Sequence, residues 1–237
     1  MTEFRQTRFE ILPPVIKNLI IINVLVFIIQ RTFSHGTADI TVVENTFALH
    51  AWQSPLFKPW QFFTYLFLHG SIEHILFNMY ALWMFGSVLE NLWGPKKFLI
   101  FYFVCGLGAA LCHMIVLYYD MQPVVQAFNN MSFEQQQQVL SNPNFLLYEP
   151  TLGASGAIFG CLAAFGYLFP NSLMYIIFIP VPIKAKWIVM GYIAVEIFLA
   201  LKNSAGDDVA HVAHLGGAIF GLALVYFWNK NNRRKFY

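Results

Sequence analysis

Along this chain the apolar residues do not alternate with polar ones. They run on, in stretches near 16–32, 72–92, 98–119, 152–170, 183–201 and 209–228, with few charges inside each. A hydrocarbon layer of ~30 Å takes about 20 apolar residues in a helix, so the pattern predicts six membrane-spanning segments. Lipid offers no partner to an open N–H or C=O, and a helix satisfies both within one segment. The fold class expected is an all-α membrane protein, a six-transmembrane helical bundle over 16–228. A segment 1–15 precedes it and a basic tail 229–237 follows. The first stretch is followed by charged and bulky residues with no small-residue cleavage site, so it reads as a retained helix and not a leader.

Composition supports this. Hydrophobic residues make up 58% and charged residues 11%, where a soluble domain approaches a quarter charged. A net charge of +2 gives no argument for nucleic acid; the partner expected from composition is the lipid bilayer. Cys105, Cys112 and Cys161 fall inside apolar stretches and read as small buried hydrophobes, not as a disulfide or metal framework. No cofactor and no metal are implied. Basic residues mark the cytoplasmic side. Arg5, Arg8 and Lys17, then Lys96 and Lys97, Lys184 and Lys186, and Lys230, Arg233, Arg234 and Lys235 fall on alternate connections. Both termini are therefore expected in the cytoplasm, in a multi-pass protein of a plasma or inner membrane.

With that topology the second, fourth and sixth spans all enter from the outer face. Ser155 of "TLGASGAIFG" is placed one turn into the fourth, His74 and Asn78 in the first turns of the second, and His211 and His214 in the first turns of the sixth. Ionisable groups in a span are costly and mark function, although any one of them alone can be a polar residue joining helices. A serine becomes a nucleophile when a neighbouring imidazole takes its proton, and His214 is the candidate base. Gly156 and Gly160, with Gly217 and Gly221, form small-xxx-small faces that let the two helices approach closely. His74 and Asn78, four apart, share a helix face. With the N–H groups that start the fourth helix they are candidate donors to an oxyanion. Phe159, four residues after Ser155, is a candidate to hold an imidazole ring by stacking, although an aromatic in an apolar helix is more often plain core.

"GASG", "HLGGAIFG" and "HGSIEHILFNMYALWMFG", in this order on the fourth, sixth and second spans, resemble the rhomboid family of intramembrane serine proteases. The resemblance covers about Trp60 to Gly221. It implies a rhomboid-like bundle and a serine endopeptidase with Ser155 as nucleophile and His214 as base, a dyad with no required acid. It further implies His74 and Asn78 as oxyanion donors, and single-pass membrane proteins, cut in or near their transmembrane segment, as substrates. The family often carries Trp-Arg in its first outer loop where this chain has Trp60-Gln61. The long 120–151 connection is expected to form a short helix over "SFEQQQQVL", capped by Ser132.

Two other readings stay open. Six spans with a polar patch also suit a small transporter or a catalytically silent rhomboid-like binding protein. A metal gathered by His69, His74, His211 and His214 is a further option, although HExxH is absent. His211 is expected to make a polar contact with Asp207 or Asp208. Asp207 lies too far along the helix to orient His214, and Glu196 in the fifth span has no assigned role.

Overall fold

A computed structural model describes residues 9–33, 42–142, 145–176, 179–202 and 210–232. Arg5, Arg8, Asp207, Asp208, Arg233, Arg234 and Lys235, used in the sequence reading, lie outside these described residues.

The helices follow the apolar stretches. Pro14–Phe33, Ile72–Trp93, Pro95–Asp120 and His211–Lys230 are each long and apolar enough to cross a membrane. Ser155–Leu168 is apolar but shorter. Ala185–Lys202, the fifth helix, completes the bundle and contains Lys186, Glu196 and Lys202. The second span is not one regular helix: Ile72–Ala81 passes through a π turn at Leu82–Gly86 into Ser87–Trp93. Such a turn inserts a residue and shifts the helix face. Here it accompanies close packing of the first helix, since a Cβ on Gly86 would come within 2.5 Å of Ile16 Cδ1.

Polar groups fasten the first helix at both ends. Glu90 accepts from the N–H groups of Val15 at 3.0 Å and Ile16 at 2.9 Å, placing a carboxylate on a helix N-terminus, where the dipole favours it. At the far end Gln30 Oε1 accepts from His69 N–H at 3.0 Å, and Arg31 donates to the Gly70 carbonyl. Leu25, Ile28 and Ile29, by contrast, face outward, as a lipid-facing surface requires.

The long connection after the third span carries two short helices, Gln122–Asn129 and Phe133–Leu140. The second has a full capping box, in which Ser132 accepts from Gln135 N–H and the Gln135 side chain accepts from Ser132 N–H. The connection between the fourth and fifth helices forms an antiparallel hairpin, Leu173–Ile176 with Ile179–Lys184. The apolar stretch 183–201 overlaps only the end of its second strand, and the fifth helix itself starts at Ala185.

The centre of the bundle is the packing of the third, fourth and sixth helices. A Cβ on Gly217 would lie 1.8 Å from the Gly156 carbonyl oxygen, and one on Gly221 would lie 2.8 Å from Gly160 Cα. The third helix closes on the same seam: a Cβ on Gly156 would meet Ala109 Cβ at 2.4 Å, and one on Gly160 would meet Cys105 Sγ at 2.5 Å. Three helices can come this close only where side chains are missing.

Gly217→Val should therefore lower stability by roughly 1–3 kcal/mol or more, the usual cost of forcing volume into a packed core. It should appear as a lower unfolding temperature in detergent. Gly191→Ala on the fifth helix, where a Cβ meets nothing within 4 Å, should leave that temperature unchanged or slightly raised.

Candidate active site

The segment leading to Ser155 is held extended. Leu49 and Thr151 exchange backbone hydrogen bonds of 2.9 and 2.8 Å, Gly153 N–H donates to the Tyr65 carbonyl at 3.0 Å, and Thr151 Oγ1 lies 2.8 Å from His113 Nε2. Gly153 has φ +130, a conformation that L side chains rarely adopt. The fourth helix therefore cannot begin before this point, and it begins at Ser155 itself. The expectation that Ser155 sits one turn inside the helix is corrected to its first residue. The shift has a chemical consequence: the first N–H groups of a helix have no intrahelical partner, and here they surround the serine.

The sixth helix begins at His211, so His214 lies in its first turn. The glycine seam lays this turn against the start of the fourth helix, and His214 Nε2 lies 2.7 Å from Ser155 Oγ. Phe159, one turn after the serine, stacks on the His214 ring with centroids 4.3 Å apart and planes 6° from parallel. This face-on contact limits ring rotation and leaves both nitrogens at the edge.

His74 and Asn78 approach from the second span. Ser71 caps that helix by accepting from His74 N–H. Gly70 N–H donates to His74 Nδ1 at 3.4 Å, an arrangement that leaves the ring proton on Nε2. That nitrogen faces Gly153: a Cβ there would come within 2.9 Å of His74 Nε2 and 3.6 Å of Ser155 Oγ. Glycine thus keeps open the space that the serine and the imidazole share. Asn78 is buried, and its Nδ2 has no hydrogen-bond partner among the described residues. His69, in the connection ahead of the span, lies edge-on to His74 at 5.0 Å. Burial, with a smaller contribution from His74, holds its pKa down to about 3, so His69 adds no positive charge here at neutral pH.

Three contributions were not legible in the sequence. Glu196, on the fifth helix, places Oε2 2.7 Å from His211 Nδ1 and 3.1 Å from His214 Nδ1. The second contact is within ion-pair distance but lacks hydrogen-bond alignment. A buried carboxylate in a span is the signal that could have pointed to it, but its height relative to the sixth helix depends on how the fifth is docked. Gln61 stands where the family motif has arginine. It is fully buried, accepts from His50 N–H at 3.3 Å and Lys58 N–H at 3.1 Å, and donates to the Leu56 carbonyl at 2.9 Å. Its role is to fold the first loop upon itself. Gly153 is the third.

Among the described residues the side chains that could gather a metal ion are Glu196, His211 and His214, with ligand atoms within 4.8 Å of one another. His69 and His74 are not part of that group.

A rhomboid domain model matches residues 56–231. Similar proteins include mitochondrial rhomboid protein 1 of Saccharomyces cerevisiae, 30% identical over 68% of this chain and 39% of that protein. The human mitochondrial presenilin-associated rhomboid-like protein is 29% identical over 90% of this chain and 48% of its own length. The rhomboid protease AarA of Providencia stuartii is 28% identical over 86% of this chain and 68% of its own. The chain thus spans less than half the length of these two mitochondrial relatives. With a family model covering most of its length and these relatives beside it, the chain is an integral membrane protein that belongs to the rhomboid family.

Proposed function

We propose that this protein is an intramembrane serine endopeptidase that cleaves single-pass membrane proteins in or near their transmembrane segment. The observation that carries this reading is the 2.7 Å approach of His214 Nε2 to Ser155 Oγ, held face-on by Phe159. In it, His214 takes the hydroxyl proton as Ser155 Oγ bonds to the scissile carbonyl carbon, and the carbonyl π electrons move to its oxygen. Asn78 Nδ2, His74 Nε2 and the N–H groups at the start of the fourth helix stabilise that oxyanion. His214 then returns the proton to the leaving amine, and water repeats the sequence to release the acyl group. The names of relatives such as rhomboid proteases AarA and GluP support the reaction class.

The site lies at the end of the bundle opposite Lys96, Lys97, Lys184 and Lys186, the basic connections that favour the cytoplasmic side. We accordingly place both termini in the cytoplasm or its topological equivalent and the site just beneath the other face, where water for hydrolysis is near.

A fluorophosphonate probe in detergent should label Ser155 alone among the serines, and Ser155→Ala should abolish both labelling and cleavage of a model transmembrane substrate while keeping the helical circular dichroism. A transporter or silent binding protein would remain unlabelled, and retained cleavage by Ser155→Ala would overturn the assignment. His214→Ala should be inactive and His211→Ala should keep substantial activity; the reverse pattern would move the base by a turn. Asn78→Ala should lower kcat by roughly 10²–10³, the range for removal of one oxyanion donor, read by initial rates on the same substrate. An unchanged rate would make Asn78 purely structural.

A further inference from the structure

Glu196 and His211 are a buried ionisable pair that the Ser155–His214 chemistry proposed above does not use. Both side chains are nearly inaccessible, with relative exposures of 10% and 9%. A charge-capable carboxylate inside a span costs at least ~2.5–3.5 kcal/mol when unpaired near the centre, so its place in the bundle calls for an account. His211 Nδ1 and His214 Nδ1 both lie close to one oxygen of this carboxylate, at 2.7 and 3.1 Å. The second nitrogen belongs to the ring whose opposite edge approaches Ser155 Oγ.

We propose that Glu196 is a positioning residue for His214, anchored by His211, so that the site works as a relay from Glu196 through His214 to Ser155. This rests on the serine protease reading above. The two ring nitrogens of a neutral histidine cannot both accept, and the hydrogen bond at one decides the proton at the other. A carboxylate beside Nδ1 keeps the proton there and leaves the Nε2 lone pair for the serine hydroxyl. When His214 takes the hydroxyl proton, the new imidazolium lies beside a carboxylate instead of in bare hydrocarbon. The proton on Nδ1 stays on Nδ1, and the one taken onto Nε2 leaves with the amine.

His211 has a separate part. Its shorter contact holds the carboxylate on the fifth helix to the first residue of the sixth, while the contact to His214 is not yet aligned as a hydrogen bond. Alignment becomes favourable when His214 gains charge, so the interaction is stronger in the transition state than at rest, which is the condition for acceleration. The arrangement joins the fifth helix to the chemistry, a helix that otherwise contributes no group to the site.

The test is Glu196→Gln, which keeps size and removes the charge, measured beside wild type and Glu196→Asp. The titratable groups facing His214 are Glu196 from the fifth helix, His211 from its own, His74 from the second and His113 from the third. A change in the pH profile is therefore assigned to Glu196 only with the three other histidines present. Glu196→Gln should lower kcat about 10- to 100-fold with KM little changed, the range for removing an orienting partner of a functional imidazole. It should also move the acidic limb of the rate profile, where protonation of His214 removes the base, to lower pH, and Glu196→Asp should recover part of both.

A merely structural role would lower the unfolding temperature without moving the pH profile of the folded fraction, and that result overturns the proposal. An unchanged kcat overturns it equally. Should Glu196→Gln not fold, the decision passes to wild-type protein inhibited by a fluorophosphonate. Nitrogen-15-labelled histidine should then show a far-downfield Nδ1 proton that is absent from His214→Ala, and no such resonance overturns the proposal. Loss of activity on adding a chelator, restored by zinc, would reassign Glu196, His211 and His214 to a metal and also overturn it. If wild type itself neither cleaves nor takes the probe, the serine protease reading fails first, which distinguishes the two outcomes.

Discussion

The contact on which the rest depends is backbone against backbone, where Gly217 and Gly221 of the sixth helix meet Gly156 and Gly160 of the fourth. A Cβ at Gly217 would overlap the Gly156 carbonyl oxygen at 1.8 Å, so any side chain there must push the helices apart. The serine and the histidine stand one residue before Gly156 and three before Gly217, at the mouth of this seam. Their 2.7 Å separation is set by the glycines more than by any attraction between the two groups. In lipid no hydrophobic force drives helices together, and close van der Waals packing takes its place. The same feature that holds the bundle together therefore sets the geometry of the Ser155–His214 pair.

A second constraint is the refusal of lipid to solvate open polar groups. The polar side chains are gathered at helix starts: His74 in the first turn of the second span, Ser155 as the first residue of the fourth, His214 in the first turn of the sixth. Helix starts are where N–H groups are already unpaired, so the donors of this site concentrate in one place. Asn78 lies a turn deeper and leaves Nδ2 without a partner among the described residues. An orphan donor in a low-dielectric site is expensive unless something charged or polar arrives to take it, and a developing oxyanion is such a partner.

How much of this was legible in the chain follows from distance along it. Apolar runs mark helices because their length is dictated by the bilayer, and glycines four residues apart mark a close face because the helix period is local. Ser155, His74, Asn78, His214 and Phe159 could be named together because each sits at a countable offset from a span's start. Where the chain leaves this regularity the reading fails. The fourth helix starts later than its apolar run because Gly153, at φ +130, and the Leu49–Thr151 pairing hold the preceding residues extended. The hairpin over Leu173–Lys184 is apolar on a stretch too short to tell strand from buried helix. The Trp60-Gln61 departure from the family motif carried no hint that Gln61 would be wholly buried and bonded to five backbone groups.

Glu196 shows why a side chain's role can depend on a docking that no local pattern encodes. The fifth helix has no glycine seam toward the sixth; a Cβ on Gly191 would touch nothing. Its height is instead fixed at one end by the hairpin, where Ala185 N–H donates to the Ser172 carbonyl at 2.8 Å, and near the other by the carboxylate meeting His211. The polar contact ties this helix to the sixth, while Gly166 of the fourth packs closely on its Val189. Packing of small residues is insensitive to protonation, whereas a carboxylate between two imidazoles is not. The fifth helix is therefore docked to the sixth through a contact that carries charge, and the same carboxylate lies 3.1 Å from His214.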